Sequence, residues 1–116
     1  MKGFLLPALG LAAGILIGAF TPLSIPPGMT KYVAIGILAA LDTGLGGIRS
    51  GIENKFDLAV FISGFTFNTL LAAGLTYTGD LLGIDLYFAA IVVFGVRLFE
   101  NLAKIRRLVL GRFWSL

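Results

Sequence analysis

The chain has 116 residues, of which 58% are hydrophobic and 13% are charged, and its formal net charge is +3. Soluble domains carry about 25% charged residues, and a domain this small cannot cover so much apolar side chain. The sequence holds neither Cys nor His, so thiolate and imidazole chemistry are excluded. The composition therefore predicts an integral membrane protein that is not an enzyme and holds no metal or cofactor.

Four apolar stretches follow one another along the chain. The first and third are uncharged and have about the 20 residues that a helix needs to cross the hydrocarbon core. The second is interrupted by Asp42, and the fourth by Arg97 and Glu100. The sequence predicts one all-α domain over residues 1–116, a small polytopic transmembrane helix bundle. Four spans are expected, with three as the alternative, at about residues 3–20, 32–48, 58–79 and 86–105.

The connecting segments have the residue types of loops. Residues 21–31 contain three prolines, residues 49–57 contain four charges, and residues 79–85 contain two glycines and two aspartates. With four spans and a cytoplasmic N-terminus, seven basic residues fall on the inner side and only Lys31 on the outer side. The positive-inside rule then predicts a multi-pass protein of the cell membrane with both termini in the cytoplasm.

Most of the basic residues gather at the predicted inner side. Positive charge in this position is typical of contact with anionic lipid at the cytoplasmic surface, and no nucleic-acid partner is expected. The predicted cytoplasmic basic face consists of Arg49, Lys55, Lys104, Arg106, Arg107 and Arg112.

Small residues recur at helical spacing within the spans. Gly10, Gly14 and Gly18 lie four residues apart on the first span and remove the side chains from one helix face. Such a ridge allows close backbone contact in lipid, where van der Waals packing drives helix association. The sequence leaves open whether the ridges pack within the chain or against another copy. The complete set of predicted helix-packing glycines is Gly10, Gly14, Gly18, Gly36, Gly44 and Gly64.

Three polar residues are expected at one depth in the bilayer. Asp42 lies eleven residues after Lys31, and Arg97 lies twelve after Asp85, on spans that run in the same direction. Asn68 reaches a similar level on the span between them. The predicted intramembrane polar layer is thus Asp42, Asn68 and Arg97. Because a lone charge in lipid is costly, Asp42 and Arg97 are expected to pair, either as a structural ion pair or as part of a proton or ion relay.

Several motifs of the sequence resemble those of the bacterial small basic protein family. The matching segments include residues 39–43, 46–49, 63–68, 85–87 and 95–99, followed by Asn101 and residues 105–107. The resemblance implies a small integral membrane protein, often encoded near cell-division or envelope genes, with no assigned biochemical activity. It supplies no catalytic residues.

Two functions are compatible with these patterns. The first is an oligomerising membrane scaffold or assembly component, a homo-oligomer that contacts anionic lipid and other membrane or division proteins. The alternative is a small transporter or channel subunit whose path is lined by the polar layer. A dry, paired layer favours the first function, and a hydrated axis favours the second.

Overall fold

The computed structural model describes residues 2–22 and 24–114 of the chain. Four α-helices account for most of this part, and no strand occurs within it. The predicted all-α bundle is therefore confirmed. The helices are α1 (Leu5–Phe20), α2 (Thr30–Ile52), α3 (Leu58–Leu82) and α4 (Tyr87–Trp114), and two short 3₁₀ turns precede α1 and α2, at Lys2–Phe4 and Pro27–Met29.

The boundaries of α3 follow from local chemistry at both of its ends. The carboxylate of Asp57 caps the first turn by accepting hydrogen bonds from the backbone N–H groups of Ala59 and Val60 at 2.9 and 3.2 Å. The helix ends at Gly83, which has a φ of 71° in the left-handed region. Residues 79–82, expected in a loop, are helical because the terminating glycine is Gly83 and not Gly79.

The second helix is the centre of the bundle. α2 packs against α1, α3 and α4, and α3 also packs against α4. Among the described elements, the backbone of α1 comes close only to α2 and to the turn that precedes α1. The core lies between α2, α3 and α4 and consists of Ile35, Ala39, Ala72, Ala90 and Phe94. Because this core includes only part of each helix, most of the apolar surface points outward.

The outward surface carries many large apolar side chains. α2 with its preceding turn (Pro27–Ile52) and α3 (Leu58–Leu82) are long and apolar enough to span a membrane, and α1 is apolar but shorter. Phe20, Phe67 and Phe99 are among the large apolar side chains that are mostly exposed. The accessible area is 7918 Å², whereas a compact soluble monomer of this mass exposes about 6,100 Å². That all four helices cross the membrane stays a prediction.

Two ends of the bundle can be defined from the connections between helices. The α2–α3 connection, residues 53–57, lies at what we call the inner end. At the outer end, the Lys31 ammonium lies 2.5 Å from the Asp80 carboxylate, so the start of α2 is beside the end of α3. These names follow the orientation that the basic residues predict.

The orientation can be tested by thiol labelling, since the native chain contains no cysteine. In intact cells, Ser24→Cys should react with a membrane-impermeant maleimide, and Lys55→Cys should react only after the membrane is permeabilised. The reverse pattern would invert the orientation. Labelling of both positions in intact cells would mean that no membrane separates the two ends.

Candidate functional site

A buried ion pair lies at the middle of α2. The Arg97 guanidinium of α4 places Nη2 3.3 Å from Asp42 Oδ2, and the Asp42 side chain is 0% exposed. The structure thus brings together the two opposite charges whose pairing the sequence predicts. The Arg97 side chain is 47% exposed, so the acid is enclosed and the base is not.

The amide that contacts Asp42 is Asn101 and not Asn68. Asn101 is buried on α4, and its Nδ2 donates to Asp42 Oδ1 at 3.5 Å. Asn68 lines the neighbouring cavity and makes no side-chain hydrogen bond with any residue that the structure describes. Counting residues along a span gives depth but not direction around the helix. The missed signal is the spacing of Arg97 and Asn101, which places them on one face of α4.

A polar cavity of about 290 Å³ lies between α2, α3 and α4 and reaches this ion pair. The cavity extends from the predicted polar layer to the inner end of the bundle. Asp42, Asn68 and Arg97 border it, and Arg49 and Lys55 line the part near the α2–α3 connection. The predicted polar layer is therefore one wall of a larger site that extends toward the inner end.

Several polar groups in this cavity have unused hydrogen-bonding capacity. Among the described residues, Asp42 Oδ2 and Arg49 Nε are buried and have no hydrogen-bond partner. Arg49 Nε lies 3.8 Å from Glu53 Oε1, which is an ion-pair distance without a hydrogen bond. Lys55 and Glu100 make no ion pair with the described chain. A buried donor or acceptor without a partner is costly, so a polar ligand or water that entered here would be stabilised.

The predicted basic face divides into two parts. Arg49 and Lys55 line the cavity, and the other four residues lie beyond it on α4. Those four are exposed along the last part of the helix: Lys104, Arg106, Arg107 and Arg112. Only the second group forms a basic surface that is free of the cavity.

Five of the six predicted packing glycines make no close contact with another part of the chain that the structure describes. A Cβ added at Gly10, Gly14, Gly18, Gly36 or Gly64 would meet no atom within 4 Å. Of the two alternatives that the sequence leaves open, packing within the described chain is therefore not the one that these five glycines make. The remaining one, Gly44, packs against the Leu11 side chain at 3.3 Å.

The reason is the short stretch over which α1 contacts α2. Residues 3, 7 and 11 lie against residues 51, 47 and 44, respectively. The N-terminal segment with α1 therefore runs antiparallel to α2. Residues 12–20 of α1 are then all exposed. The ridge of Gly10, Gly14 and Gly18 instead borders an apolar groove of about 960 Å³ between α1, α2 and α3.

The glycines that do permit close packing are different ones. A Cβ on Gly47 would lie 2.6 Å from the Phe61 ring and 2.9 Å from Pro7. A Cβ on Gly51 would collide with the backbone of Gly3 and Phe4, and one on Gly79 with the Ile84 carbonyl. Residues 44, 47 and 51 lie three or four apart on one face of α2, so the spacing was present in the sequence.

Comparison with known proteins places this chain among small bacterial proteins. A family model described as "Protein of unknown function (DUF1290)" matches residues 25–110. The chain is 51% identical to the "Small basic protein" of Bacillus subtilis (strain 168), over 96% of this chain and 91% of that protein. It is 43% identical to an uncharacterised protein of Mycobacterium tuberculosis (strain ATCC 25618 / H37Rv), over 87% and 85% of the two chains. No solved structure matches it.

Proposed function

The chain belongs to the DUF1290 family, that of the small basic protein, and we propose that within it the chain acts as a membrane assembly component that associates with copies of itself. The observation that carries the proposal is the open groove between α1, α2 and α3. It contains the glycine ridge of α1, which packs against none of the residues that the structure describes. A groove of this kind in a membrane protein is suited to receive another helix.

The chemistry of the groove restricts what can fill it. No charged residue lines it within ranges 2–22 and 24–114, and its walls are formed by aliphatic and aromatic side chains such as Ile37, Leu41 and Phe65. A partner helix must therefore be apolar along its length. The three glycines let its backbone approach closely, which gains dispersion contacts that fluid lipid chains make less well.

The first helix of a second copy has the required properties. α1 carries no charge, is 16 residues long and exposes its second half completely. If each α1 enters the groove of the other copy, both grooves are filled by one symmetric contact. Such two-fold arrangements are the commonest in homo-oligomers. The exposed basic end of α4 is left free at the inner surface for anionic lipid or for other membrane or division proteins.

The alternative, a transporter or channel subunit, is supported by one feature, the polar cavity that reaches Asp42. The remaining packing favours the assembly function. On the outer side of the ion pair, the core of Ile35, Ala39, Ala72 and Phe94 fills the space between α2, α3 and α4. No catalytic step is part of the proposal.

The proposed assembly is tested by a substitution in the ridge. Gly14→Leu should reduce the oligomer to a smaller species, because the leucine occupies the space that the partner helix needs. The monomer should keep its helicity, since nothing lies within 4 Å of that position. The measurement is the mass of the complex in membrane nanodiscs extracted without detergent, with far-ultraviolet circular dichroism for helicity.

A cross-link supplies the matched control. Gly14→Cys should form a disulfide between copies on oxidation, whereas Leu71→Cys, on an exposed part of α3 outside the groove, should not. A wild-type protein that is monomeric in the same nanodiscs would contradict the proposal. So would an oligomer that Gly14→Leu leaves unchanged, because the contact would then lie elsewhere.

A further inference from the structure

The polar cavity carries side chains of both signs in equal number. Each of α2, the α2–α3 connection and α4 contributes one acid and one base to the cavity. Its positive residues are Arg49, Lys55 and Arg97, and its negative residues are Asp42, Asp57 and Glu100. The charges balance, so the lining as a whole favours neither a simple cation nor a simple anion. A ligand that carries one charge of each sign matches it best.

The residues are not all occupied with one another. Asp57 is committed to the cap of α3, and Asp42 is neutralised by Arg97. Yet Asp42 Oδ2 accepts no hydrogen bond from the described chain, and its side chain is fully enclosed. Because that side chain is 0% exposed, its oxygen is closed to a ligand in the cavity. Arg49 Nε is the corresponding unused donor, and Glu100 is an acid without an ion pair among the described residues.

The position of the cavity points to a lipid as the source of the ligand. Residues 58–71 of α3 include none that is buried, whereas Ala72, Thr76 and Gly79 are buried farther along the helix. α3 and α4 therefore pack at their outer parts and face each other across the cavity at their inner parts. Phe61 and Phe65 add an apolar wall beside the charged groups. A polar headgroup attached to acyl chains fits this combination.

We propose that the cavity binds the headgroup of a phospholipid in which a phosphate diester is joined to a primary ammonium group, as in phosphatidylethanolamine. The phosphate accepts hydrogen bonds from Arg49, Arg97 and Lys55. The ammonium donates to Glu100, which is exposed and lines the cavity. A choline headgroup has no N–H donor for this acid, and a glycerol headgroup has no positive charge.

The test is lipid retention by the full chain. The wild-type protein is purified with equimolar phosphatidylethanolamine, phosphatidylglycerol and phosphatidylcholine, and the retained lipid is identified by native mass spectrometry. Phosphatidylethanolamine should exceed phosphatidylcholine by about tenfold, the effect of one charge-assisted hydrogen bond. Equal retention of phosphatidylcholine or phosphatidylglycerol would overturn the proposal without any variant being made.

Two variants locate the site. Glu100→Gln should lose the preference for phosphatidylethanolamine, whereas Arg49→Gln should lower the retention of all three lipids, because the phosphate is common to them. Both variants should keep wild-type helicity, because neither residue belongs to the buried core. Their controls are Asp85→Asn at the outer end and Lys104→Gln one turn beyond Glu100, both outside the cavity. A preference that survives Glu100→Gln, or unchanged retention with Arg49→Gln, would overturn the assignment. Soluble phosphoethanolamine that binds as tightly as the lipid would show a site for the free compound instead.

Discussion

Arg97→Gln is expected to destabilise the protein more than Asp42→Asn, although the two residues belong to one ion pair. Without Arg97, a fully enclosed carboxylate remains in the interior of the bundle with no opposite charge within ion-pair distance among the described residues. Breaking a buried pair in this way costs about 3–5 kcal/mol. Without Asp42, the remaining guanidinium is already 47% exposed and borders the cavity, so its long side chain can turn toward water. That loss should be about 1 kcal/mol at most, because the variant can still accept from Asn101 and loses only an ion pair with a half-exposed partner.

The double variant separates charge from packing. Asp42→Leu with Arg97→Leu should recover part of the loss seen with Arg97→Gln, because no uncompensated charge is left. Recovery should be incomplete, since Asn101 Nδ2 loses its acceptor. Adding Asn101→Leu should then improve the stability further.

The measurement is the free energy of unfolding in mixed micelles, followed by circular dichroism during titration with a denaturing detergent. Arg106→Gln serves as the control, because Arg106 is an exposed cation on the same helix. Equal losses for Arg97→Gln and Asp42→Asn would contradict the asymmetry. If Arg97→Gln is as stable as the wild type, the burial of the Asp42 carboxylate does not depend on pairing with Arg97.

The helices were predictable from the sequence because their cause is local. Long apolar stretches bounded by Pro, Gly and charged residues are sufficient to place four helices. The differences occur where a helix continues past an expected break. α2 extends from the predicted 48 to Ile52, and α3 extends past Gly79 to Leu82. Glycine inside a transmembrane helix often serves packing, so its presence alone does not mark an end.

The sequence could predict the level of the site along the helices, but not the direction in which its side chains point around each helix axis. Counting residues from the ends of the spans places Asp42 and Arg97 at one level, and the structure has them in contact. The same count gives no rotation angle about the axis of each helix. For that reason it selected Asn68 on α3, whereas Asn101 on α4 contacts the acid. The cavity depends on the tilt of α3 relative to α4. Tertiary packing sets this tilt, so the sequence pattern of either helix alone does not predict it.

The glycines show the same limit. Gly10, Gly14 and Gly18 have the more regular spacing, but contact within the chain is made through Gly44, Gly47 and Gly51. Close packing needs two complementary surfaces, and the sequence of one helix describes only one of them. The unfilled ridge of α1 is consequently informative, because it remains available to another chain.

Gly51→Ala is expected to separate the N-terminal segment from α2, whereas Gly14→Ala should have no such effect. A methyl group on Gly51 would overlap backbone atoms of Gly3 and Phe4, which cannot rotate away as the end of a side chain can. Such overpacking typically costs about 1–3 kcal/mol. At Gly14 nothing lies within 4 Å, so the better helix propensity of Ala, up to about 1 kcal/mol, should leave the monomer equally or more stable.

The two substitutions are compared by unfolding in a detergent that keeps the protein monomeric, so that contacts between copies do not contribute. A cysteine placed at Leu11, which is half-buried against Gly44, reports on the contact between α1 and α2. Its labelling rate should rise in the Gly51→Ala background and stay unchanged with Gly14→Ala. Gly47→Ala should fall between them, because the Phe61 ring that it meets can move. Equal labelling in all three backgrounds would contradict the close contact between α2 and the turn before α1, since a methyl group at Gly51 cannot be accommodated while that contact persists.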